Sequence, residues 1–222
     1  MSTVKLSVVV CVYNEEENIK PQIERIAQAL EAYEYEMVFV DDGSKDNTLR
    51  ELYSVEHPRL RVVELKKNYG QSLALMAGID YAQGEYIATM DGDLQNDPSD
   101  LPRMLKIAEE GGFDMVAGNR AYRKDGMVLR KIPSRIANYI IRSLTDVHLK
   151  DYGCALKVLK ADLAKDLGLY GELHRFVPVL AHLEGARITQ VDETPRPPIW
   201  YIQIWPEPHL QGHQRFVVDA LF

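Results

Sequence analysis

The sequence predicts an α/β domain: a mostly parallel sheet with helices on both faces. Two observations support this fold class. Short apolar runs of strand length alternate with segments of helical periodicity, the order expected for crossover connections between parallel strands. The apolar runs are nearly continuous, as in strands that are covered on both faces. With 222 residues, 46% of them hydrophobic, the chain is long enough to bury one such core.

Five apolar runs are predicted strands: Leu6–Tyr13, Met37–Val40, Leu60–Leu65, Tyr86–Met90 and Met115–Ala117. Four helices are predicted between them: Ile19–Ala32, Asp46–Tyr53, Ser72–Ala82 and Leu101–Glu110. Pro21 lies near the start of the first helix and Gly111 follows the end of the last, which are usual positions for these residues. In such sheets ligands bind beyond the carboxyl ends of the strands. The residues that follow each strand are therefore the candidates for a site.

Polar residues follow four successive strands, where they would converge on one crevice. These segments are Val12–Glu15, Val40–Ser44, Lys67–Gln71 and Met90–Gln95.

The Asp91-Gly92-Asp93 stretch is the strongest single signal. Carboxylates two residues apart converge on one cation if the glycine between them permits a tight bend, and Mg²⁺ and Mn²⁺ prefer such oxygen ligands. A metal held there would offset charge on a leaving diphosphate. The alternative is a solvated Asp-Gly turn. The position directly after the strand Tyr86–Met90 favours the metal site.

Other residues in these segments suit a nucleotide. Asp41 and Asp42 would accept hydrogen bonds from a base or ribose. The alternative is that Asp42, Ser44 or Asp46 caps the following helix, and different residues can take each role. Tyr13 offers an aromatic face to a base, although packing against the core is an equal alternative. Lys67 would contact phosphate, and Asn68 would let the backbone approach it closely.

Charge and composition narrow the function classes. The net charge of −7 argues against nucleic acid as the main partner. Residues 120–142 are nevertheless basic, with Asp125 the only acidic residue among them. A solvated helix face and an anion site explain this basic segment equally well.

Cys11 lies in an apolar run, which favours a buried thiol over a nucleophile. No run reaches the roughly 20 apolar residues of a membrane-spanning helix, so we expect a cytoplasmic chain.

These motifs together resemble the family-2 glycosyltransferases of the GT-A (Rossmann-like) fold, and among them the polyprenyl-phosphate sugar transferases of the dolichyl-phosphate mannose synthase type. The resemblance runs from about Lys5 to Val191, with Val12 in place of the family's usual proline. The matching stretches are Val12–Glu15, Val40–Ser44, Asn68–Gly70, Asp91–Gln95, Ala117–Arg120, Arg130 with Ser134, Asp151–Cys154 and His174–Phe176.

The resemblance implies a role for each matching residue. Tyr13, Glu15 and Asp42 would hold the nucleoside of a UDP- or GDP-sugar, with Asp41 as a further candidate. Asp91, Asp93 and Gln95 would hold Mg²⁺ or Mn²⁺ and the diphosphate. Arg120, Arg130 and Ser134 would bind the phosphate of a polyprenyl acceptor, which identifies the basic segment as an anion site beside the cytoplasmic membrane surface. His174 and Arg175 would assist anion binding or have a structural role.

The implied chemistry needs little from the protein. A lipid phosphate has a second pKa of about 6, so it is largely dianionic at neutral pH and needs no strong general base. Alignment of this phosphate with the anomeric carbon and stabilisation of the developing charge suffice, and we expect single displacement with inversion.

Two alternative functions remain: a transferase that acts on a saccharide hydroxyl, which would need a carboxylate base, and an inactive domain that only binds nucleotide-sugar. A nicotinamide-dependent oxidoreductase is disfavoured, because no G-x-G-x-x-G follows the first strand.

The family pattern breaks near the C-terminus, which divides the chain into a catalytic domain (1–193) and an irregular segment (194–222). The family expects His-His-x-Arg-x-x-Gly-x-Ser-Lys-Tyr-Gly-Leu-x-Arg here, whereas this chain is rich in proline. Tryptophan has a single codon, so Trp200 and Trp205 both give glycine when read one nucleotide later, and Gln203 gives lysine or arginine. These forced residues fall where the family has them. We hypothesise a frameshift that enters near Thr194 and is corrected near Phe216; the alternative is a natural divergent tail.

Overall fold

The structure is a computed structural model that describes residues 4–120 and 149–194. Its strands are β1 (Leu6–Val12), β2 (Tyr35–Asp41), β3 (Leu60–Glu64), β4 (Tyr86–Asp91), β5 (Met115–Asn119), β6 (Lys157–Lys160) and β7 (Ile188–Asp192). Its helices are α1 (Ile19–Ala29), α2 (Thr48–Ser54), α3 (Gln71–Tyr81), α4 (Leu101–Gly111), α5 (Ala161–Asp166) and α6 (Val177–Leu183). Two 3-10 helices, Pro98–Asp100 and Leu173–Phe176, precede α4 and α6.

All the described strands form one sheet in the order β3-β2-β1-β4-β6-β5-β7. The strands β1 to β4 are parallel to one another, and β5 is parallel to β7. Only β6 runs antiparallel, between β4 and β5. The predicted α/β class with a mostly parallel sheet is therefore confirmed, and each of the five predicted strands is present.

The core lies in two layers, one on each face of the sheet. Apolar side chains of α1, α2 and α4 pack on one face, and those of α3, α5 and α6 pack on the other. Helices on both faces were predicted, and this prediction is confirmed. Burial on both faces explains why β1 and β2 are mostly apolar rather than alternating, with Ser7, Glu36 and Asp41 as their polar residues.

The helix α3 approaches the sheet closely because Gly78 has no side chain. A Cβ at this position would collide with the Val9 and Val40 side chains. This close packing brings the first residues of α3, Gln71 and Ser72, to the carboxyl end of the central strands, where the predicted site lies.

Candidate active site

A crevice of about 380 Å³ opens at the carboxyl ends of the central parallel strands. Its wall is formed by the ends of β1, β2 and β4 and by the segment that leads from β3 into α3. The lining residues are Cys11, Val12, Tyr13, Glu15, Asp42, Asn68, Gly70, Gln71, Ala74, Asp91, Gly92 and Asp93. The four polar segments singled out in the sequence therefore meet in one place, because parallel strands present their carboxyl ends at the same edge.

Asp91 is the last residue of β4, and it lines the crevice together with Asp93. Burial raises the pKa of Asp91, and the nearby charge of Asp93 raises it further. Gln71 counteracts this effect by donating a hydrogen bond from its Nε2 to Asp91 Oδ1 at 2.7 Å. Gly92 between the two aspartates is required by space, since a Cβ there would lie 2.5 Å from Cγ1 of Val12.

Asp91 and Asp93 are the crevice residues that could hold a divalent cation together with substrate. Within residues 4–120 and 149–194, no cluster of three or more His, Cys, Asp or Glu side chains is arranged to hold a metal. Mg²⁺, however, is commonly held by one or two carboxylates together with water and substrate phosphates. Asp91 and Asp93 supply such a pair. Gln95, the third predicted ligand, is exposed and is not among the crevice-lining residues; its backbone N–H donates to Asp93 Oδ1 at 3.0 Å.

Two of the loops at this edge contain a non-glycine residue with positive φ. Asn14, after β1, has a φ of 55°, and Leu94, after Asp93, has a φ of 60°. Positive φ is tolerated by asparagine but is unusual for leucine. The Leu94 side chain is buried, so packing holds this residue in a costly conformation. Such strain is typical of functional loops.

Asp42 connects the end of β2 to the loop that precedes α3. Its Oδ1 accepts from the Tyr69 N–H at 2.7 Å and its Oδ2 from the Gly70 N–H at 2.9 Å. Burial raises the pKa of Asp42, although these two donors act in the opposite direction. Asp42 therefore lines the crevice and also shapes it, a bracing role that the sequence did not indicate.

Asp41 lies differently from its neighbour. It is buried and is not among the crevice-lining residues. Its Oδ2 accepts from the Ser44 N–H at 3.2 Å, and its Oδ1 has no hydrogen-bond partner in the described part of the chain. Burial raises the pKa of Asp41. Of the three residues predicted as alternatives for capping the next helix, Asp46 bonds to its first turn, since the N–H of Thr48, the first residue of α2, donates to Asp46 Oδ1 at 2.9 Å.

Of the remaining residues predicted for the nucleotide, three line the crevice and one does not. Tyr13, Glu15 and Asn68 are part of the wall, and Tyr13 is 38% exposed, so its ring is accessible. Lys67 is not a lining residue; its Nζ lies 5.1 Å from the centre of the Tyr69 ring.

Arg120 follows β5 and is held by a two-point ion pair. Its Nε donates to Asp151 Oδ2 at 2.8 Å and its Nη2 to Asp151 Oδ1 at 3.2 Å. Although burial opposes ionisation of both groups, the pairing lowers the pKa of Asp151 and raises the pKa of Arg120. Arg130 and Ser134, the other residues predicted for the acceptor phosphate, lie outside the described residues, as does the segment 195–222.

His174 has a structural hydrogen-bonding role in this fold. Its Nδ1 lies 2.9 Å from Ser72 Oγ, and its backbone N–H donates to the same oxygen at 3.1 Å. Burial lowers the pKa of His174. Arg175 forms an exposed ion pair with Glu172 at 3.4 Å. The structure therefore shows a hydrogen-bonding role for His174, while anion binding by His174 and Arg175 stays a prediction.

Three polar residues at this edge had no role in the sequence analysis. Gln71 bonds to Asp91, Asp151 holds Arg120, and Lys157 is buried near Asp91. Gln71 and Asp151 lie within motifs already noted, so the sequence contained a signal that could have identified them as site residues. Lys157 lies in an apolar stretch, and the sequence contained no such signal for it. Cys11 was expected to be buried, but it is half-buried on the crevice wall. Burial of its thiol, together with the charges of Asp91 and Asp42, raises its pKa, which disfavours the nucleophilic thiolate.

None of the helices within residues 4–120 and 149–194 is long and apolar enough to cross a bilayer.

A family model and individual relatives both show similarity of this sequence to known glycosyltransferases. Residues 7–168 match the family described as Glycosyl transferase family 2. The chain is 49% identical to a dodecaprenyl-phosphate galacturonate synthase of Rhizobium johnstonii, over 80% of this chain and 54% of that protein. It is 38% identical to an undecaprenyl-phosphate 4-deoxy-4-formamido-L-arabinose transferase of Yersinia enterocolitica, over 84% of this chain and 58% of that protein. The chain thus spans little more than half the length of these relatives.

Solved structures show the same fold at low sequence identity. A mannosyltransferase of Pyrobaculum calidifontis in complex with GDP-Man and Mn²⁺ matches with a TM-score of 0.63 and 21% identity, over 86% of this chain and 56% of that one. A glucosyl-3-phosphoglycerate synthase of Mycobacterium tuberculosis, in complex with Mn²⁺, UDP-Glc and phosphoglyceric acid, matches with a TM-score of 0.66 and 17% identity. This match covers 87% of this chain and 72% of that one. The GT-A fold implied by the sequence motifs is therefore confirmed, and the chain belongs to glycosyl transferase family 2.

Proposed function

We propose that this chain is the catalytic domain of a metal-dependent glycosyltransferase, which moves a sugar from a UDP- or GDP-sugar to a polyprenyl phosphate with inversion at the anomeric carbon. The observation that carries this proposal is the pair Asp91 and Asp93 on the wall of a crevice formed by the ends of the parallel strands. The names of the relatives, which include a dodecaprenyl-phosphate and an undecaprenyl-phosphate transferase, support the acceptor class.

The donor lies in the crevice. Tyr13 and Glu15 from the end of β1 contact the nucleoside together with Asp42, while Asn68 lies beside them. Asp41 supports the same loop from behind through Ser44, and Lys67 lies on the rim against Tyr69. Asp91 and Asp93 hold Mg²⁺ or Mn²⁺, with Gln95 bracing Asp93 through its backbone N–H. The ion, when bound, offsets the charge that develops on the leaving diphosphate.

The acceptor phosphate approaches from the side of Arg120. Its guanidinium is fixed by Asp151, so its direction is set before the acceptor arrives. Arg130 and Ser134 complete this phosphate site. Because a phosphate dianion is already nucleophilic at neutral pH, alignment and charge stabilisation by these residues suffice for in-line displacement. A lipid acceptor also requires contact with the membrane surface, and we assign this contact to the basic segment 120–142 at the cytoplasmic face.

A thermal-shift panel of UDP- and GDP-sugars, with and without Mn²⁺, tests the donor site. We expect one nucleotide class to raise the melting temperature more strongly in the presence of Mn²⁺. Asp91→Asn and Asp93→Asn remove the Mn²⁺-dependent part of the shift, whereas Asp166→Asn, the same change at an exposed position on α5, leaves it unchanged. A shift that none of these changes affects would contradict the metal site.

Transfer assays then separate the acceptor classes. We expect sugar transfer from the stabilising donor to undecaprenyl phosphate and none to simple saccharides. Transfer to saccharide hydroxyls alone would favour the alternative transferase. Donor binding without any transfer or donor hydrolysis would favour the inactive nucleotide-sugar-binding domain.

A further inference from the structure

Lys157 is a buried lysine at the edge of the sheet that carries the crevice. It is the first residue of β6 and is only 4% exposed. It is paired with Thr89 of β4 in the antiparallel register. Since side chains two residues apart on a strand share a face, Lys157, Thr89 and Asp91 lie on the same face of the sheet, the face that α3 covers.

The ammonium of Lys157 has an unusual environment. Its Nζ donates to the backbone carbonyl of Cys154, and within the described residues it forms no ion pair with a carboxylate. A buried charge with only a neutral partner is costly unless the surrounding field compensates it. The carboxylates of Asp91 and Asp151 provide that field: burial lowers the pKa of Lys157, and these negative charges act in the opposite direction.

The two carboxylates that compensate Lys157 have other partners. Asp151 is engaged by Arg120 in a two-point ion pair, and Asp91 lines the crevice with Asp93. The Lys157 charge therefore acts on both halves of the proposed reaction, the carboxylate pair on one side and the arginine on the other.

We propose that Lys157 is a positioning residue that supplies a fixed positive charge beneath the crevice, strengthening binding of the donor diphosphate and weakening binding of a divalent cation in the absence of nucleotide. This inference rests on the proposed function. Its physical basis is the sign of the charges: an ammonium near Asp91 repels a cation held by Asp91 and Asp93 and attracts the phosphates of the donor. The crevice therefore binds the nucleotide more readily than the free metal ion, so that the nucleotide binds first.

Calorimetry on the whole chain tests the two affinities separately. Mn²⁺ is titrated without nucleotide, and UDP and GDP are each titrated in the presence of EDTA. Lys157→Met removes the charge, Lys157→Gln removes it but keeps a donor for the Cys154 carbonyl, and Lys157→Arg retains it. Thermal unfolding checks that each variant is folded. If Lys157→Met does not fold, Lys157→Gln is used as the neutral variant.

We expect the neutral variants to bind Mn²⁺ about tenfold more tightly and the diphosphate about tenfold more weakly, the scale of one partly screened charge interaction. Lys157→Arg should stay close to the original chain in both titrations. Opposite changes in the two affinities are the distinguishing result, because a merely structural role would weaken both.

The failures of the two proposals are distinguishable. If the original chain binds Mn²⁺ and one diphosphate, but the neutral variants shift both affinities in the same direction or neither, the role of Lys157 is overturned while the proposed function stands. If the original chain binds neither ligand, the proposed function is overturned, and the role of Lys157 with it.

Discussion

The two aspartates at the end of β4 were identifiable from the sequence because their signal is local. Asp91 and Asp93 follow an apolar strand at a spacing that suits a metal. The residues that orient the site were not assigned roles, because their partners are distant in sequence. Gln71 reaches Asp91 across 20 residues, and Asp151 reaches Arg120 across 31. Contacts of this kind are set by the order of the strands and not by any local pattern.

The ion pair between Asp151 and Arg120 gives a test at the level of one residue. Asp151→Asn leaves Arg120 without its charged partner, so we expect the Michaelis constant for the acceptor phosphate to rise while that for the donor stays constant. The free energy of unfolding should fall by about 1–3 kcal/mol at pH 7, between the values typical of exposed and of buried pairs. Steady-state kinetics with each substrate varied, together with urea unfolding, measure the two effects.

The same variant has a defined pH dependence. The pKa of Asp151 is lowered in the folded state, so its stabilising contribution is complete above the ordinary aspartate pKa of about 3.9 and is lost as the pH falls through the lower folded value. The stability difference between the original chain and Asp151→Asn should therefore be constant near neutrality and shrink below about pH 4. Asp114→Asn is the control: it breaks an ion pair with Lys160 of 2.8 Å elsewhere on the sheet and should leave the acceptor constant unchanged.

At the scale of helices and strands, the sequence predicted the elements of the first half more fully than those of the second. The strands β1 to β5 each contain a run of apolar residues, and all five were predicted. The strands β6 and β7 were not. β6 has four residues, two of them lysines, and β7 mixes apolar with polar residues and is only partly buried. Their place in the sheet depends on pairing with β4 and β5, which no property of their own segments reveals.

The loop between β3 and α3 depends on Asp42 for its shape. Asp42→Ala removes the acceptors of the Tyr69 and Gly70 N–H groups, so we expect both amides to exchange their hydrogens faster and nucleotide binding to weaken by about tenfold, the effect of roughly 1–1.5 kcal/mol of lost hydrogen bonding. Hydrogen exchange followed by mass spectrometry and calorimetry measure these changes. Asp41→Ala is the matched control at the neighbouring residue, because the Asp41 side chain bonds to Ser44 and not to this loop. Faster amide exchange at Tyr69 and Gly70 in both variants would contradict the bracing role of Asp42.

At the scale of the whole molecule, the described fold ends in a fixed position. The Thr194 N–H and Oγ1 both bond to the Asp100 carboxylate at 2.8 Å. Arg103 donates to the Asp192 carbonyl at 2.6 Å, and the Glu193 N–H donates to the Asn119 carbonyl at 2.9 Å. Since β7 is parallel to β5, the chain reaches Thr194 at the same edge of the sheet as Arg120. Whatever follows Thr194 therefore starts beside the proposed acceptor site.

This position gives the frameshift hypothesis a functional consequence. With one set of codons that the amino-acid sequence allows, the peptide read one nucleotide later from Thr194 contains His-His-x-Arg and Ser-Lys-Tyr-Gly in place of the proline-rich stretch. Under the hypothesis, this peptide would bring histidine, arginine and lysine to the edge where Arg120 lies. We expect a chain with this frame restored between Thr194 and Phe216 to transfer sugar to undecaprenyl phosphate at least about tenfold faster, because each charge-assisted hydrogen bond to phosphate contributes roughly 1.5–3 kcal/mol. Donor affinity should stay constant, because the residues proposed to hold the donor, and Lys157 beneath them, all lie before Thr194. Equal transfer by both chains, or codons at Gln203 and Ile204 that cannot encode Lys-Tyr in the shifted frame, would contradict the hypothesis and leave the proline-rich segment as a natural feature of this protein.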